Sequence, residues 1–309
     1  MSTGPAVPSS LAAGVHSPCI GVCRLDEETG YCLGCGRTAF EVSEWASADD
    51  ERKTLIWQSL PTRLEMLGTK VRLMPWSPVA VGDWVAERLR ERTGTWIVGS
   101  MAASAAFAAG LEVAVRQTPT EITACQKEGA FRLELHEKLR AFSFGADPIR
   151  SMVVLALPRT RISLPVASGL TPLGPDIRAV DPEHRSLSLF DLGVGGKEVR
   201  ICLRTANSAL AENLHAASGQ QWNSEMSSID AAHLVVETAL SRVEKYAPKF
   251  PLGDSLSGMV PGHLLEQLSN RGRDTSVETT LPRWAVPVAV YSPEFRCCGL
   301  ECSNGVEMG

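Results

Sequence analysis

Ser17-Pro18-Cys19-Ile20-Gly21-Val22-Cys23 and, after a short acidic loop, Tyr31-Cys32-Leu33-Gly34-Cys35-Gly36 place four cysteines within seventeen residues at the spacing C-x3-C-x8-C-x2-C. Two close pairs on a short loop can converge on one point, as a soft metal requires of thiolate ligands. Gly34 and Gly36 leave backbone N–H groups free to face the sulfurs, which steadies a thiolate site. The competing reading, a pair of disulfides, needs an oxidising compartment. Met1 to His16 carries no Lys or Arg and has Pro5 and Pro8 where a signal peptide would need an apolar run. Cys19, Cys23, Cys32 and Cys35 are therefore expected to hold a metal. Zinc suits four thiolates in a closed structural site; an iron–sulfur cluster takes the same four and is the alternative. His16 is a spare ligand or a loop histidine.

The flanking residues carry a resemblance. Ser17-Pro18-Cys19, Cys23, Gly30-x-Cys32-x-Gly34-Cys35-x-Arg37-Thr38, Glu41, Trp45 and Leu60-Pro61-x-Arg63 are similar to a small cysteine-rich bacterial family, the domain-of-unknown-function 1289 family. Its members are labelled predicted Fe–S proteins. The resemblance implies a metal or cluster and supplies no activity.

A formal charge of −5 and a pI near 5.8 argue against a nucleic-acid partner, which needs a basic face. Between Gly14 and Lys70 nine Asp/Glu stand against six Lys/Arg, and four thiolates on one Zn²⁺ would add to that negative charge. Trp96 to Leu111 is uncharged but rich in Ala, Gly and Ser and too short for a spanning helix. The expectation is a soluble, cytoplasmic protein with a protein partner, and no contact with nucleic acid or membrane.

In chain order, residues 1–15 read as a disordered tail and 16–70 as the metal module. In it Thr38 and Glu41 form a capping box for one helix, and Ser47 caps a second that opens on Asp49, Asp50 and Glu51. Residues 71–78 read as a linker around Pro75 and Pro78, 79–296 as the main domain, and 297–309 as a cysteine-rich tail. The main domain begins with a helix over 79–92. Strands are expected at 96–98, 111–116, 121–126, 130–135, 152–157, 161–164, 187–192 and 198–204, the last two forming a hairpin across Gly193–Lys197. Helices are expected at 207–217, 228–246 and 262–269, and a last strand at 284–291 with Pro287 marking an edge. The fold class is α+β: a small four-cysteine knuckle with two helices, then a larger domain with a mainly antiparallel sheet.

Thr95-Trp96-Ile97-Val98-Gly99, Gly174-Pro175-Asp176, Leu189-Phe190-Asp191-Leu192-Gly193, Cys202-Leu203-Arg204-Thr205, Arg242-Val243-Glu244-x-Tyr246 and His263-Leu264-Leu265 resemble the uncharacterised bacterial domain-of-unknown-function 6925 family. That resemblance implies a His-x-His pair where this chain has Pro261-Gly262-His263, and a further histidine near Thr275; two of the three are missing. No catalytic motif holds. Gly193 to Glu198 lacks the spacing and the Ser or Thr of a phosphate loop, and Arg140 stands where a second zincin-type histidine would follow His136-Glu137. His233 reads as a hydrogen-bonded core or boundary histidine, and Cys125 and Cys202 as small buried hydrophobes. Cys297, Cys298 and Cys302 form a possible second thiol site or an idle tail. The functional expectation is a structural metal module that docks or stabilises. An iron–sulfur redox protein is the alternative, and an enzyme with its pocket near Asp191 or His263 the second.

Overall fold

The computed structural model describes residues 15–100, 103–222, 232–246 and 281–293. The tail before Val15, the helix expected at 262–269 with His263, and Cys297, Cys298 and Cys302 lie outside the described residues. In the module, helix α1 (Ala39–Glu44) starts on the capping box: Thr38 Oγ1 accepts from Glu41 N–H at 3.2 Å, and Glu41 Oε2 accepts from Thr38 N–H at 2.9 Å. Helix α2 (Asp50–Met66) is capped by Asp49, whose carboxylate accepts from Arg52 N–H at 2.7 Å. Ser47, expected as that cap, donates instead to Glu44 O and closes α1. The segment expected as a linker is partly built into the sheet. Strand β1 (Arg72–Leu73) pairs with β7 (Arg140–Ser143), and Ser77 caps helix α3 (Pro78–Arg90), whose first position is proline.

Beyond the module the described chain forms two sheets, and every strand pairing in them is antiparallel. The six-stranded sheet runs β1, β7, β8 (Val153–Pro158), β14 (Ala285–Ser292), β2 (Thr95–Ser100) and β3 (Ala103–Phe107). The eight-stranded sheet runs β4 (Ala114–Gln117), β5 (Glu121–Gln126), β6 (Gly129–Glu134), β13 (Ser241–Lys245), β12 (Ala232–Glu237), β11 (Arg200–Thr205), β10 (Ser188–Asp191) and β9 (Thr171–Pro175). With its few helices this is an α+β protein. Inward residues of both sheets, among them Trp96, Phe107, Leu155, Phe131, Val243, Leu234 and Phe190, share one core, and α3 contributes Trp84, Val85 and Leu89.

The outer face of the six-stranded sheet is also covered. Ile97, Ala106, Phe142, Val154, Ala156 and Val290 pack with Ile20, Ile56, Trp57, Leu60 and Leu64 of the module. Burial on both faces explains why Val153-Val154-Leu155-Ala156-Leu157 is an unbroken apolar run. Two indoles fasten the cover: Trp57 Nε1 donates to His16 O at 3.1 Å and Trp284 Nε1 to Ile20 O at 3.2 Å.

Three further expectations are corrected. The described part of the 228–246 helix is two strands, β12 and β13, joined at Ala239-Leu240 with Thr238 Oγ1 accepting from Ser241 N–H at 3.1 Å. The helical spacing of Val236, Leu240 and Val243 was coincidental; β-branched residues and a neighbouring strand decided the outcome. Arg159–Arg161 forms a 3₁₀ turn, and no strand follows at 161–164. Strand β14 is central, between β8 and β2; Pro287 is accommodated by a register shift between Pro287 and Ala289.

Candidate functional site

The knuckle is built on hydrogen bonds. Leu33 N–H donates to Arg24 O at 2.8 Å, Cys32 N–H to Arg37 O at 2.8 Å, and Gly36 N–H to Cys32 O at 2.7 Å. Gly36 takes φ +73°, where a side chain would be strained, and a Cβ on Gly34 would lie 2.7 Å from Val22 O. The two glycines therefore let the Cys32–Cys35 turn fold back onto the irregular segment that carries Cys19 and Cys23. Cys32 and Cys35 are buried, Cys19 is half-exposed and Cys23 exposed; all four are free thiols.

The thiols sense one another. A hydrogen bond from Cys35 is the main cause that brings the Cys32 thiol down to about 5, helped by the N–H groups of Gly34, Cys35 and Arg24. That same bond, with burial, pushes Cys35 up. Cys23 is raised chiefly by Cys19 beside it, then by burial, with a smaller contribution from Cys32. Arg37 Nε donates to Cys35 Sγ at 3.4 Å, and Gly21 N–H to Cys19 Sγ at 3.3 Å. The expected quartet is thus one neighbourhood of sulfurs with N–H donors directed at it, which suits a thiolate-bound metal. Among the described residues, no three His, Cys, Asp or Glu side chains already stand in a metal-holding arrangement. His16 is a loop histidine: its Nε2 lies 3.2 Å from Met74 O, its ring packs edge-on to Trp57, and burial is the main cause of a pKa lowered to about 4.

A second constellation lies on the outer face of the eight-stranded sheet. Period-2 alternation sends Arg200, Cys202 and Arg204 of β11, His233, Val235 and Glu237 of β12, and Arg242 and Glu244 of β13 to one side. Cross-strand register brings Arg200 opposite Glu237, and Glu237 opposite Arg242. Arg204 reaches Asp176 at 2.9 Å and Glu244 at 2.8 Å; Arg242 pairs with Glu237 at 3.1 Å, Glu244 at 2.8 Å and Asp176. Arg204, Arg242, Asp176, Glu237 and Glu244 are each at most 2 % exposed. Burial would raise the Glu244 pKa, but Arg242 and Arg204 outweigh it and hold the carboxyl below its usual value. The cluster also ties down the loop crossing it, since Glu244 Oε1 accepts from Val180 N–H at 3.0 Å.

His184, His233 and Tyr246 close one end of this network, with ring centroids 4.6–4.9 Å apart. Both imidazoles present Nδ1 to the Arg204 guanidinium, at 3.1 Å each. An Nδ1 that accepts from arginine leaves the proton of a neutral ring on Nε2, so these histidines serve as hydrogen-bond partners of the network. Burial, then Arg204 and His184, lower His233 to about 4. In the unfolded chain it titrates near 6.5. The folded state therefore binds fewer protons between these values, and stability drains as the pH falls from 6.5 towards 4. Discounted for a half-exposed ring, the contribution is about 1–2 kcal/mol. Urea unfolding across that window should show a shallower pH slope in His233→Gln than in the unmodified chain; an equal slope would remove the assignment.

Asp191, the expected centre of an enzyme pocket, is buried, paired with Arg200 at 3.3 Å, and accepts from Gly193 N–H at 2.9 Å. Cys202 is fully buried beside Leu189 and Val235, and burial raises its thiol well above the usual range. Cys125 is half-buried, pushed up to about 11 mainly by burial. Sequence reasoning missed Arg132, His184 and Glu237. The readable signal was charge recurring at even spacing in Arg132-x-Glu134, Arg200 and Arg204, and Arg242-x-Glu244, the mark of a polar strand face.

Two family models match separate parts of the chain. The model of a family of unknown function, DUF6925, matches residues 80–297, and that of a protein of unknown function, DUF1289, matches residues 17–64. No curated protein and no solved structure matches the chain. No helix among the described residues is long and apolar enough to cross a membrane.

Proposed function

The chain belongs to the DUF6925 family, and from the sulfur cluster attached ahead of that domain we propose that it is a metal-binding protein whose four-cysteine module holds one structural zinc. Cys19, Cys23, Cys32 and Cys35 would supply the thiolates. The observation that carries this reading is the pair of N–H donors aimed at sulfurs of the quartet, Gly21 N–H to Cys19 Sγ at 3.3 Å and Arg37 Nε to Cys35 Sγ at 3.4 Å, because such donors stabilise sulfur as a ligand anion. A four-thiolate zinc has no open position, so the metal fixes the knuckle and catalyses nothing. The knuckle in turn seats Ile20 and α2 on the outer face of the six-stranded sheet. The module is then a docking unit in the cytoplasm, with Phe40 and Val42 of α1 left exposed for a protein partner. Its acidic balance disfavours nucleic acid.

The exposure of Cys23 favours a second reading, an iron–sulfur cluster open to electron or cluster exchange. Elemental analysis of protein purified anaerobically without added metal distinguishes the two. One equivalent of zinc in a colourless protein is the expected result. Iron with sulfide and absorbance near roughly 400 nm would replace zinc by the cluster, and metal-free, fully folded protein would end both readings.

A further inference from the structure

A cavity of about 190 Å³ lies beside the buried ion network, between β5, β6 and the loop that crosses them; Thr123, Arg132, Arg178, Arg185 and Glu121 are in its wall. Three guanidiniums meet two carboxylates there, Glu121 in the wall and Glu134 beside it. The register explains the surplus of positive charge. Arg132 stands directly opposite Arg242 on the neighbouring strand, a like-charge pair that needs compensation. Arg242 has it from Asp176, Glu237 and Glu244. Arg132 has less: its Nη1 donates to Arg178 O at 2.7 Å, and its Nε makes a 3.5 Å ion pair with Glu134 Oε1 but no hydrogen bond. Glu134 is already engaged, accepting from Arg178 Nη2 at 2.7 Å. Arg132 is only 8 % exposed, so water screens this cation little. Arg185 completes the wall, anchored through Nε to Ala179 O at 3.3 Å.

We propose that this cavity binds a small soluble oxyanion, a phosphate or the phosphate group of a monoester, with Arg132 as its buried anchor and Arg178 and Arg185 as its exposed clamps. Guanidinium forks match phosphate oxygens two at a time. Thr123 sits directly opposite Arg132 on β5 and brings a hydroxyl to the same wall. The site is separate from the sulfur cluster and does not depend on which metal that cluster holds.

The test is calorimetric titration of the full chain with inorganic phosphate in a low-salt, phosphate-free buffer. Saturable binding of one phosphate per chain is expected. The variant R178A/R185A, which alters exposed side chains and so should keep the fold, should bind at least about tenfold more weakly. Arg132→Gln should abolish binding if it folds. Arg159→Ala, an exposed arginine paired with Glu198 instead, should change nothing. No saturable binding, or equal affinity in the double variant, overturns the proposal. So does sedimentation of the chain with phosphatidic acid vesicles in the absence of any binding to free phosphate.

Discussion

Replacing Cys32 by serine should strip the metal from the full chain and loosen the cover of the six-stranded sheet at the same time. Cys32 is the most buried sulfur of the quartet, 2 % exposed, and its thiol is held low, so the substitution removes a central ligand. Altering groups that merely hydrogen-bond a ligand costs 10–100-fold in affinity, so loss of the ligand itself should exceed about 100-fold. The structural consequence follows from what the knuckle holds down. Ile20, Ile56, Trp57, Leu60 and Leu64 are all buried against the sheet or one another. At about 1.5–3 kcal/mol each they contribute on the order of 10 kcal/mol, an upper figure because unfolded chains are partly compact. That is comparable with the whole net stability of an ordinary domain. Elemental analysis should find little metal in Cys32→Ser, limited proteolysis should cut within residues 24–30, and the melting temperature should fall by roughly 10 °C or more. A Cys32→Ser chain with full metal content and an unchanged melting curve would refute the central role given to these thiols.

How much of this was legible beforehand depended on whether a feature was local. The Thr38–Glu41 box, the Ser188–Thr205 hairpin and strand Glu121–Gln126 are specified by neighbours a few residues away, and the sequence shows them plainly. Strand β12 pairs with β11, some thirty residues back, and β13 is specified by a partner more than a hundred residues distant, since it lies against β6. Without that partner, Val236, Leu240 and Val243 satisfy a helical period as well as a strand's. The same holds for the sites. Four cysteines in one short stretch announce themselves. By contrast, Arg132, Asp176, Arg204, Glu237 and Glu244 come from five segments, and only the topology makes them a cluster. Asp176, Arg204 and Glu244, with their partner Arg242, are residues that carried the resemblance to the larger family, but their common purpose was invisible until the strands were laid side by side. Pro287 misled for a related reason: a bulge that absorbs a proline is a property of the assembled sheet.

Breaking that cluster should cost more than any surface change in the domain. Arg204→Met removes the guanidinium between Asp176 and Glu244 and withdraws the donor to both His184 and His233. Two carboxylates would remain out of water with Arg242 as their shared counter-ion. Removing one partner of a buried ion pair costs about 3–5 kcal/mol, because the charge left behind is out of water and short of counter-charge. For a domain of this size the loss corresponds to roughly 6–20 °C in melting temperature. By contrast Arg159→Met, which breaks the exposed pair with Glu198, should cost less than about 1 kcal/mol. Adding Glu244→Gln to Arg204→Met should restore part of the loss, since it removes one of the stranded charges; the double-mutant cycle measures that coupling. Glu244 also receives Val180 N–H, so the paired variant should leave the loop over residues 176–187 less protected from hydrogen exchange even where the melting temperature recovers. Equal costs for Arg204→Met and Arg159→Met would mean that the network does not anchor the loop that walls the arginine cavity.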